Sequence, residues 1–333
     1  MNVNILKLSL ILLFLTSCTS NSFKGESRGN TMKRYLHYCT YEIWDGFREN
    51  LNYRFKIILK SGGYIKISLE ERPKTDKLDR LIDLDIAKHK AKLKKSRKDE
   101  YFGEVHRENL KIGNNPAVVV SYEFNELSKK GEKDFNEYLE KRENCYIKLK
   151  DKILILEGST YTKSFNKTVK DLWEEFYKSY KEDDSQAFRT NYGSFKWVNG
   201  LKDESNIKYY AFNKDNNMTC SIDIDYVDED DKIATEKERS FTTRVIQVLA
   251  TQAFVRKVKS DKLIIDGYTI KYNEFSATIE GETSTMAEIW MFDFTPGVVM
   301  KVIEARPNYF GMYRNEINAM INSIKFYPDL KKD

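Results

Sequence analysis

The fold of this chain is decided by Val105-His-Arg-Glu-Asn-Leu-Lys-Ile112, then Gly113-Asn114, then Ala117-Val-Val-Val-Ser-Tyr-Glu-Phe124. Residues that favour strands lie on both sides of the Gly-Asn pair, and such a pair is typical of a tight two-residue turn. The stretch therefore predicts two antiparallel strands joined by a short loop.

A similar stretch occurs in the second half of the chain. It consists of Val258-Lys-Ser-Asp-Lys-Leu-Ile-Ile265, then Asp266-Gly267, then Thr269-Ile-Lys-Tyr-Asn-Glu-Phe275. In both halves a predicted helix precedes the hairpin, and further strands and a closing helix follow it. The repeated order predicts two similar domains that arose by gene duplication.

Apolar periodicity predicts the elements around these hairpins. Helices are predicted at residues 76–98, 168–180, 233–253 and 313–324. Strands are predicted at 38–44, 53–59, 63–70, 104–112, 117–124, 145–149 and 153–159, and at 192–198, 207–213, 219–227, 255–265, 268–277, 287–294 and 298–305. Because the strands are grouped between helices, the pattern favours an α+β fold, with two similar domains of antiparallel sheet plus helix.

The predicted boundary between the two domains is a polar stretch, KEDDSQ, at residues 181–186. It follows the closing helix of the first half and carries no apolar pattern. The predicted N-terminal α+β domain therefore covers residues 35–182, and the predicted C-terminal α+β domain covers residues 187–328.

Residues 1–17 have the features of a secretory signal peptide. One positive charge, Lys7, precedes a short apolar run, which is well below the ~20 residues needed to span a bilayer. The sequence Leu15-Thr-Ser-Cys18 resembles the lipobox of bacterial lipoproteins, which implies cleavage before Cys18 and lipid attachment to its thiol. Residues 18–34 are polar and rich in Ser, Gly and Asn, which predicts a lipid-anchored tether.

Lipid on Cys18 would hold the protein on a membrane durably, because several acyl chains bury many CH₂ groups. We therefore expect a membrane-anchored lipoprotein that faces the periplasm. Two alternatives stay open at this point. The first residues could form an ordinary buried helix with a chance cysteine, or translation could start at Met32 and leave a cytosolic protein.

Charges of both signs are dense and interspersed along the chain, with 56 Lys and Arg against 51 Asp and Glu. A nucleic-acid-binding domain instead concentrates its basic residues on one face, so we expect no nucleic-acid partner. The lysine-rich residues 88–98 could sit on anionic lipid, or they could form the solvated side of a helix.

Three cysteines, Cys39, Cys145 and Cys220, remain if Cys18 is acylated. An oxidising periplasm permits one disulfide, and Cys39 with Cys145 is the preferred pair because both lie on predicted strands of the first half. The alternative is three unpaired, buried cysteines. No C-x-x-C motif is present and the histidines lack ligand spacing, so no metal site is expected.

A run of carboxylates, Asp228, Glu229, Asp230 and Asp231, follows one predicted strand. It lacks the glycine and the closing glutamate of an EF-hand loop, which favours a solvated loop over a calcium site. Its charge and expected exposure make it a candidate partner-binding segment. The charged segment at residues 127–142, predicted to be a loop or short helix, is a second candidate.

Catalytic motifs are absent from the sequence, with one formal exception. Gly25-Glu-Ser-Arg-Gly29 matches G-x-S-x-G, but it lies in the predicted tether with no strand before it and no helix after it. No phosphate-binding loop, dinucleotide fingerprint or H-E-x-x-H sequence occurs. We therefore expect a binding protein that is not an enzyme and uses no cofactor.

Several local sequences carry a resemblance that spans most of residues 35–327. They are the lipobox, Tyr38-Cys-Thr-Tyr-Glu-Ile-Trp-Asp-Gly46, Leu263-Ile-Ile-Asp-Gly267, Ala287-Glu-Ile-Trp-Met-Phe292 and Ile321-Asn-Ser-Ile324. In this layout the chain resembles the two-domain lipoprotein immunity proteins that protect bacteria from type VI secretion lipase effectors. The family's glutamate-rich strand after the glycine turn is represented here only by Glu274.

The resemblance implies a protein partner: this chain would plug the active-site cleft of a secreted phospholipase and neutralise that toxin. Such a role needs complementary shape and charge and no chemistry of its own. An alternative of another class is an envelope lipoprotein that binds lipid or cell-wall material, or that scaffolds a complex. A third interpretation is a hydrolase with an unfamiliar site.

Overall fold

The computed structural model describes residues 30–35, 39–74, 77–96, 101–128, 130–212, 218–227, 253–279, 282–291, 297–304, 315–316 and 318–327. The helices are α1 (Leu78–Ser96) and α2 (Lys167–Lys178), and residues 315–316 and 318–322 are also helical. The strands are β1 (Thr31–Tyr35), β2 (Cys39–Trp44), β3 (Arg48–Ile58), β4 (Tyr64–Pro73), β5 (Tyr101–Phe102), β6 (His106–Ile112), β7 (Asn115–Asn125), β8 (Glu140–Lys148), β9 (Lys152–Tyr161), β10 (Phe188–Thr190), β11 (Gly193–Phe195), β12 (Leu201–Asp203), β13 (Asn206–Phe212), β14 (Met218–Val227), β15 (Ala253–Ile265), β16 (Tyr268–Ile279), β17 (Glu282–Met291), β18 (Gly297–Glu304) and β19 (Lys325–Phe326).

The chain is an α+β protein in which antiparallel strands predominate, as the sequence predicts. It divides into two compact units. The central unit is Leu51–Ile207, and the terminal unit contains the described residues of Met1–Asn50 and Lys208–Asp333.

This division differs from the predicted domains at 35–182 and 187–328. The first and last strands of the described chain meet in the terminal unit, where β2 pairs with β1 on one side and with β19 on the other. Residues 187–207 instead belong to the central unit. There Phe195 stacks on Phe176 of α2, with ring centroids 4.7 Å apart. Aromatic packing and pairing of distant strands therefore override the polar stretch at 181–186. Residues 31–34, predicted to be part of the tether, belong to β1.

The central sheet is antiparallel, with the strand order β3-β4-β9-β8-β7. The strand β12 pairs with β3, and the strands β5 and β6 both pair with β7. Side chains of successive strand residues alternate between the two faces. Val118, Val120, Tyr122 and Phe124 of β7 therefore lie on one face of this sheet.

The helix predicted at residues 76–98 is confirmed as α1. Its side chains Ile82, Ile86 and Leu93 recur at helical spacing and pack in one cluster with that face of the sheet, including Ile153 and Ile155 of β9. Ile86 follows Ile82 by four positions and Leu93 follows Ile86 by seven, so one stripe of α1 contacts the sheet.

The helix predicted at residues 168–180 is confirmed as α2. It begins after Asn166, whose side chain accepts a hydrogen bond of 2.9 Å from the Val169 backbone N–H. Such a cap satisfies one of the free N–H groups at the start of a helix. On the face opposite α1, a Cβ added at Gly158 would lie 2.8 Å from Ile65 and 3.2 Å from Trp173. Glycine at position 158 therefore lets α2 approach the sheet closely.

Both hairpins predicted from the sequence are confirmed. In the central unit Ile112 pairs with Asn115 across Gly113-Asn114, and Gly113 has a φ of 58°. In the terminal unit Ile265 pairs with Tyr268 across Asp266-Gly267, whose φ values are 50° and 84°. The Asp266-Gly267 turn has positive φ at both central residues, as in a type I′ turn. The Gly113-Asn114 turn has positive φ at Gly113 alone, as in a type II′ turn.

The terminal unit contains a sheet with the strand order β15-β16-β17-β18-β14, antiparallel at each pairing that joins these strands. The predicted strands at 255–265, 268–277 and 298–305 are confirmed in it. Most of the helix predicted at 233–253 lies outside the described residues. Within the described part of the chain, no helix is long and apolar enough to cross a membrane.

Candidate interaction surface

The charged segment predicted at residues 127–142 lies at one end of the central sheet. Residues 126–139 form a series of turns that joins β7 to β8, and residues 140–142 belong to β8. We call residues 126–139 the β7–β8 loop; residue 129 is outside the described residues. The segment is therefore a loop, one of the two predicted forms.

The β7–β8 loop is held at its base by the buried side chain of Asn125. Its Oδ1 accepts hydrogen bonds from the backbone N–H groups of Leu127 (2.9 Å) and Ser128 (2.8 Å). Its Nδ2 donates to the Phe135 carbonyl oxygen (2.8 Å) and to the Ser128 hydroxyl (3.1 Å). Asn125 is 1% exposed. One amide thus joins both ends of the loop, so less conformational freedom is lost when a partner binds.

Aromatic contacts fix the loop to the short strand β5. The rings of Phe135 and Tyr101 pack edge to face, with centroids 5.3 Å apart. The Lys130 ammonium lies 5.6 Å from the centroid of the Tyr101 ring. Edge-to-face pairs and cation–π contacts each add modest stability beyond the area they bury.

The loop presents one apolar side chain among charged ones. Leu127 is 49% exposed. The charged residues of the described loop are Glu126, Lys130, Glu132, Lys133, Asp134 and Glu137. Where the chain re-enters the sheet, burial raises the pKa of Glu140, and the nearby Glu126 raises it further. In a protein–protein contact, an apolar centre that the partner covers is usually surrounded by a polar rim. The exposed Leu127 with its charged neighbours has this composition, so the loop is suited to bind a protein.

A groove of about 320 Å³ adjoins the loop at Tyr101. It lies where β5 and β6 pair in succession with β7, and its lining includes His106, Glu123 and Lys141. The Gly103 N–H donates a 2.7 Å hydrogen bond to the Glu123 carbonyl oxygen, which holds the chain between the two short strands. Loop and groove together form one candidate interaction surface.

The other predicted site residues are not brought to this surface by the structure as described. Cys18, the predicted site of lipid attachment, and Asp228, Glu229, Asp230 and Asp231 all lie outside the described residues. Their roles stay predictions. Among the described residues, no group of three or more His, Cys, Asp or Glu side chains is arranged to hold a metal ion.

The predicted disulfide between Cys39 and Cys145 is corrected by the structure, in which both are free thiols. Cys39 lies on β2 in the terminal unit, whereas Cys145 lies on β8 in the central unit. A position in the first half of the sequence therefore does not place β2 with the strands of the central sheet. Burial raises the pKa of Cys39 to about 12 and that of Cys145 still further, so both thiols stay protonated and unreactive.

The residue of this surface that the sequence analysis missed is Asn125. A signal was available, because Asn at the end of a predicted strand, followed three residues later by Ser128, is typical of a side chain that organises a turn. Sequence alone left open which of several asparagines would be buried in this role.

Several solved structures are similar to this chain, and two of them match it over about nine tenths of its length. One is a chain of the crystal structure of the Tle4-Tli4 complex, with a TM-score of 0.56, 8% sequence identity, and coverage of 90% of this chain and 98% of that chain. Another is the apo structure of the immunity protein TplEi of T6SS from Pseudomonas aeruginosa, with a TM-score of 0.51, 8% identity, and coverage of 90% and 97%.

No protein-family model matches the chain, and no curated protein matches it. At 8% identity, the two structures establish a likeness of fold. The resemblance predicted from the sequence, to immunity proteins of type VI secretion, is confirmed at that level.

Proposed function

We propose that this protein is a membrane-anchored lipoprotein, facing the periplasm, that binds and neutralises a secreted phospholipase toxin. The observation that carries the proposal is the likeness of fold, over 90% of the chain, to the immunity protein TplEi and to a chain of the Tle4-Tli4 complex. Neutralisation by contact needs no catalytic group of its own, in keeping with the sequence, which contains no catalytic motif in a suitable structural context.

The β7–β8 loop is the best supported contact segment among the described residues. Tight inhibition needs a buried surface of standard size, about 1,600 Å², with a few residues near its centre supplying most of the affinity. Leu127 fits such a central position, because it is exposed on a loop whose backbone Asn125 already fixes. Asp228, Glu229, Asp230 and Asp231 stay a second candidate on charge alone.

The proposal is tested by producing the full chain beside a periplasmic lipase encoded next to its gene. Survival of the cells, a one-to-one complex and loss of lipase activity at equal concentrations are the expected results. Absence of both protection and complex would remove the immunity role and favour an envelope lipoprotein. Lipid or ester hydrolysis by the purified protein alone would contradict both.

A matched pair of leucines tests whether the loop makes the contact. Leu127 on the loop and Leu84 on α1 are both 49% exposed, so each tolerates a charged substitution equally well. We expect Leu127→Asp to weaken the complex at least tenfold, because it places a charge at the apolar centre of the contact. Leu84→Asp should leave the affinity unchanged, and equal affinities of the two variants would remove the loop from the interface.

Membrane anchoring rests on the lipobox and is tested separately. Cys18→Ala should abolish incorporation of labelled palmitate and leave unprocessed precursor, because the substitution removes the thiol that carries the lipid. A variant that still incorporates palmitate and fractionates with membranes would show that the anchor has another origin.

Internal duplication also stays part of the proposal. Its support is that a hairpin with a two-residue turn occurs in each unit, at Gly113-Asn114 and at Asp266-Gly267. Superposing β6–β7 with its neighbouring strands on β15–β16 with its own tests the idea, since duplicated units must share strand order as well as one turn.

A further inference from the structure

A polar pocket of about 220 Å³ lies between α1 and the central sheet. We call it the helix–sheet pocket. Its lining includes Lys88 and His89 of α1, and Arg142, Asn144 and Tyr146 of β8. It is distinct from the β7–β8 loop and the groove beside it. Since a water molecule occupies about 30 Å³ of liquid, the pocket has room for a small molecule.

Charges in the lining of the pocket leave one positive charge in excess. The cations are Arg72, Lys88, Lys92 and Arg142, and the carboxylates are Glu70, Asp85 and Glu157. Arg72 pairs with both Glu70 and Asp85, at 2.7 Å each. Arg142 pairs with Glu157 at 3.1 Å. Both arginines are therefore held in place by carboxylates, whereas Lys88 projects from the exposed side of α1 at the pocket.

One set of hydrogen bonds in the wall orients His89. The Tyr122 hydroxyl lies 3.0 Å from His89 Nδ1. Burial, helped by Arg142 and Lys92, lowers the pKa of His89 to about 4, so the ring is neutral at pH 7. Arg142 lies beside the same hydroxyl and can only donate. We therefore assign the Tyr122 proton to the bond with Nδ1, which leaves the proton of His89 on Nε2.

A second set of contacts orients Asn144. The Tyr146 hydroxyl donates to Asp85 Oδ2 at 3.3 Å, and the Asn144 amide is hydrogen-bonded to the oxygen of that hydroxyl. Only the NH₂ group of an amide can donate, so Nδ2 of Asn144 is the atom directed at Tyr146. Its Oδ1 is left as a free acceptor.

Three buried polar atoms in this wall have no hydrogen-bond partner among the described residues. They are His89 Nε2, Arg142 Nε and Asn144 Oδ1. His89 is 7% exposed and Asn144 is 6% exposed. Buried polar groups are almost always paired in native proteins, because an unpaired group costs about 1–3 kcal/mol. Two donors and one acceptor thus stand together in the wall of a single polar pocket.

We propose that the helix–sheet pocket binds a small oxyanion that also carries a hydroxyl group, of which hydrogen phosphate is the simplest. The oxyanion accepts from His89 Nε2–H and Arg142 Nε–H, and its hydroxyl donates to Asn144 Oδ1. Lys88 balances the charge at the mouth of the pocket. The inference goes beyond the proposed role as an inhibitor and does not rest on it.

The test measures binding of inorganic phosphate and of sulfate to the full chain by equilibrium dialysis at pH 7. Sulfate matches phosphate in size and charge but has no proton to donate to Asn144. We expect saturable binding of phosphate at one site, at least fivefold tighter than that of sulfate. Failure of phosphate to bind, or equal affinity for the two ions, would overturn the proposal.

Variants at the exposed rim separate the pocket from general surface charge. Lys88→Met should weaken phosphate binding several-fold, because it removes a cation at the mouth. Lys94→Met, on the exposed side of the same helix and outside the lining, should have no effect. Equal losses in the two variants would assign the binding to surface charge and contradict the proposal.

Variants in the wall examine the assigned hydrogen bonds. Asn144→Leu should remove the preference for phosphate over sulfate, and His89→Gln, which keeps an N–H near the position of Nε2, should retain binding better than His89→Leu. Circular dichroism identifies any variant that does not fold. If a wall variant does not fold, the proposed site is still tested by Lys88→Met, because Lys88 is exposed on α1. A preference for phosphate that persists in folded Asn144→Leu would exclude the assigned hydroxyl contact.

The source of the oxyanion is distinguished with glycerol 3-phosphate and with vesicles. Both glycerol 3-phosphate and a phosphatidylglycerol headgroup carry a phosphate beside hydroxyl groups. Competition with inorganic phosphate by glycerol 3-phosphate alone would identify a soluble ligand. Competition by phosphatidylglycerol vesicles, and not by phosphatidylcholine vesicles, would identify a lipid headgroup. Both results support the pocket, whereas competition by neither would limit the site to the free ion.

Discussion

The two helices of the central unit pack on opposite faces of the same sheet, and their interfaces differ in polarity. The residues of α2 that reach the sheet side are aromatic or aliphatic, and all are buried: Val169, Trp173, Phe176 and Tyr177. The helix α1 buries Ile82, Ile86 and Leu93, but it also buries His89 beside a pocket lined by charged groups.

The interface of α2 contributes mainly to stability, whereas the interface of α1 also encloses a polar pocket. The interface of α2 is mainly apolar and gains free energy from most of the area it covers, with Trp173 Nε1 as its one buried polar atom without a partner among the described residues of the helix. At α1 part of that gain is lost, because polar atoms are buried without full pairing. A polar interface retained where an apolar one would be more stable points to a function for α1 that its packing does not explain.

The largest expected effect comes from breaking the apolar interface. Trp173 is fully buried, so Trp173→Ala should lower the free energy of unfolding by about 3–5 kcal/mol through the cavity it leaves. Urea denaturation measures the loss. Trp197, which is 42% exposed, provides the matched control, and Trp197→Ala should cost less than about 1 kcal/mol. Equal losses would contradict the assignment of α2 as the stabilising helix.

A smaller effect is expected from the polar interface and depends on pH. The pKa of His89 is lowered to about 4 in the folded state, against 6.5 for an ordinary histidine. Between these values the unfolded chain binds a proton that the folded chain does not, so stability falls as the pH decreases from 6.5 to 4. At about 1.4 kcal/mol per pKa unit, His89 contributes roughly 2–3 kcal/mol to this loss.

His89→Gln should remove that contribution and flatten the dependence of unfolding free energy on pH. The groups that face His89 from the helix and the sheet, Lys92, Arg142 and Tyr122, stay in place, so the comparison isolates the imidazole. His106→Gln, on an exposed position of β6, should leave the slope unchanged. A wild-type slope that persists in His89→Gln would show that other groups produce it.

The smallest expected effect concerns the start of α2. Asn166→Ala removes the acceptor for the Val169 N–H and should lower stability by about 1 kcal/mol. Asn166→Asp keeps an acceptor at the helix start and should retain most of that stability, although it loses the hydrogen bond from Nδ2 to the Gly62 carbonyl oxygen. Thermal unfolding of both variants measures the difference. If Asn166→Asp lost as much stability as Asn166→Ala, the loss would come from the hydrogen bond to the Gly62 carbonyl oxygen and not from the helix cap.

The sequence predicts those parts of the fold that depend on neighbouring residues. The two hairpin turns follow from Gly113-Asn114 and Asp266-Gly267, since both need a backbone conformation that few residues adopt. The helix α2 follows from apolar residues at helical spacing together with Asn166 before its first turn. Each of these signals lies within a few residues of the element that it predicts.

Contacts between distant parts of the chain explain what the sequence analysis missed. The pairing of β2 with β19 has no local signal, so the sequence analysis assigned Cys39 to the same domain as Cys145, whereas the two lie on β2 and β8 in different units. The helix–sheet pocket was missed because His89, Arg142 and Asn144 meet only once the sheet is formed. The lysines of α1 also differ in environment: Lys88 lines the pocket, whereas Lys90 lies 4.5 Å from the centroid of the Phe102 ring.

The pairing of β2 with β19 has a consequence for the order in which the chain matures. Cys39 and Phe326 are paired residues, so the three-stranded sheet of the terminal unit closes only after the ribosome has made residue 326. The central unit, Leu51–Ile207, is continuous and is synthesised well before that point. During synthesis β2 therefore has β1 as a partner on one side but lacks its partner on the other side until β19 has been made. An unpaired strand edge is prone to aggregation, so the terminal unit is exposed to that risk during synthesis for longer than the central unit.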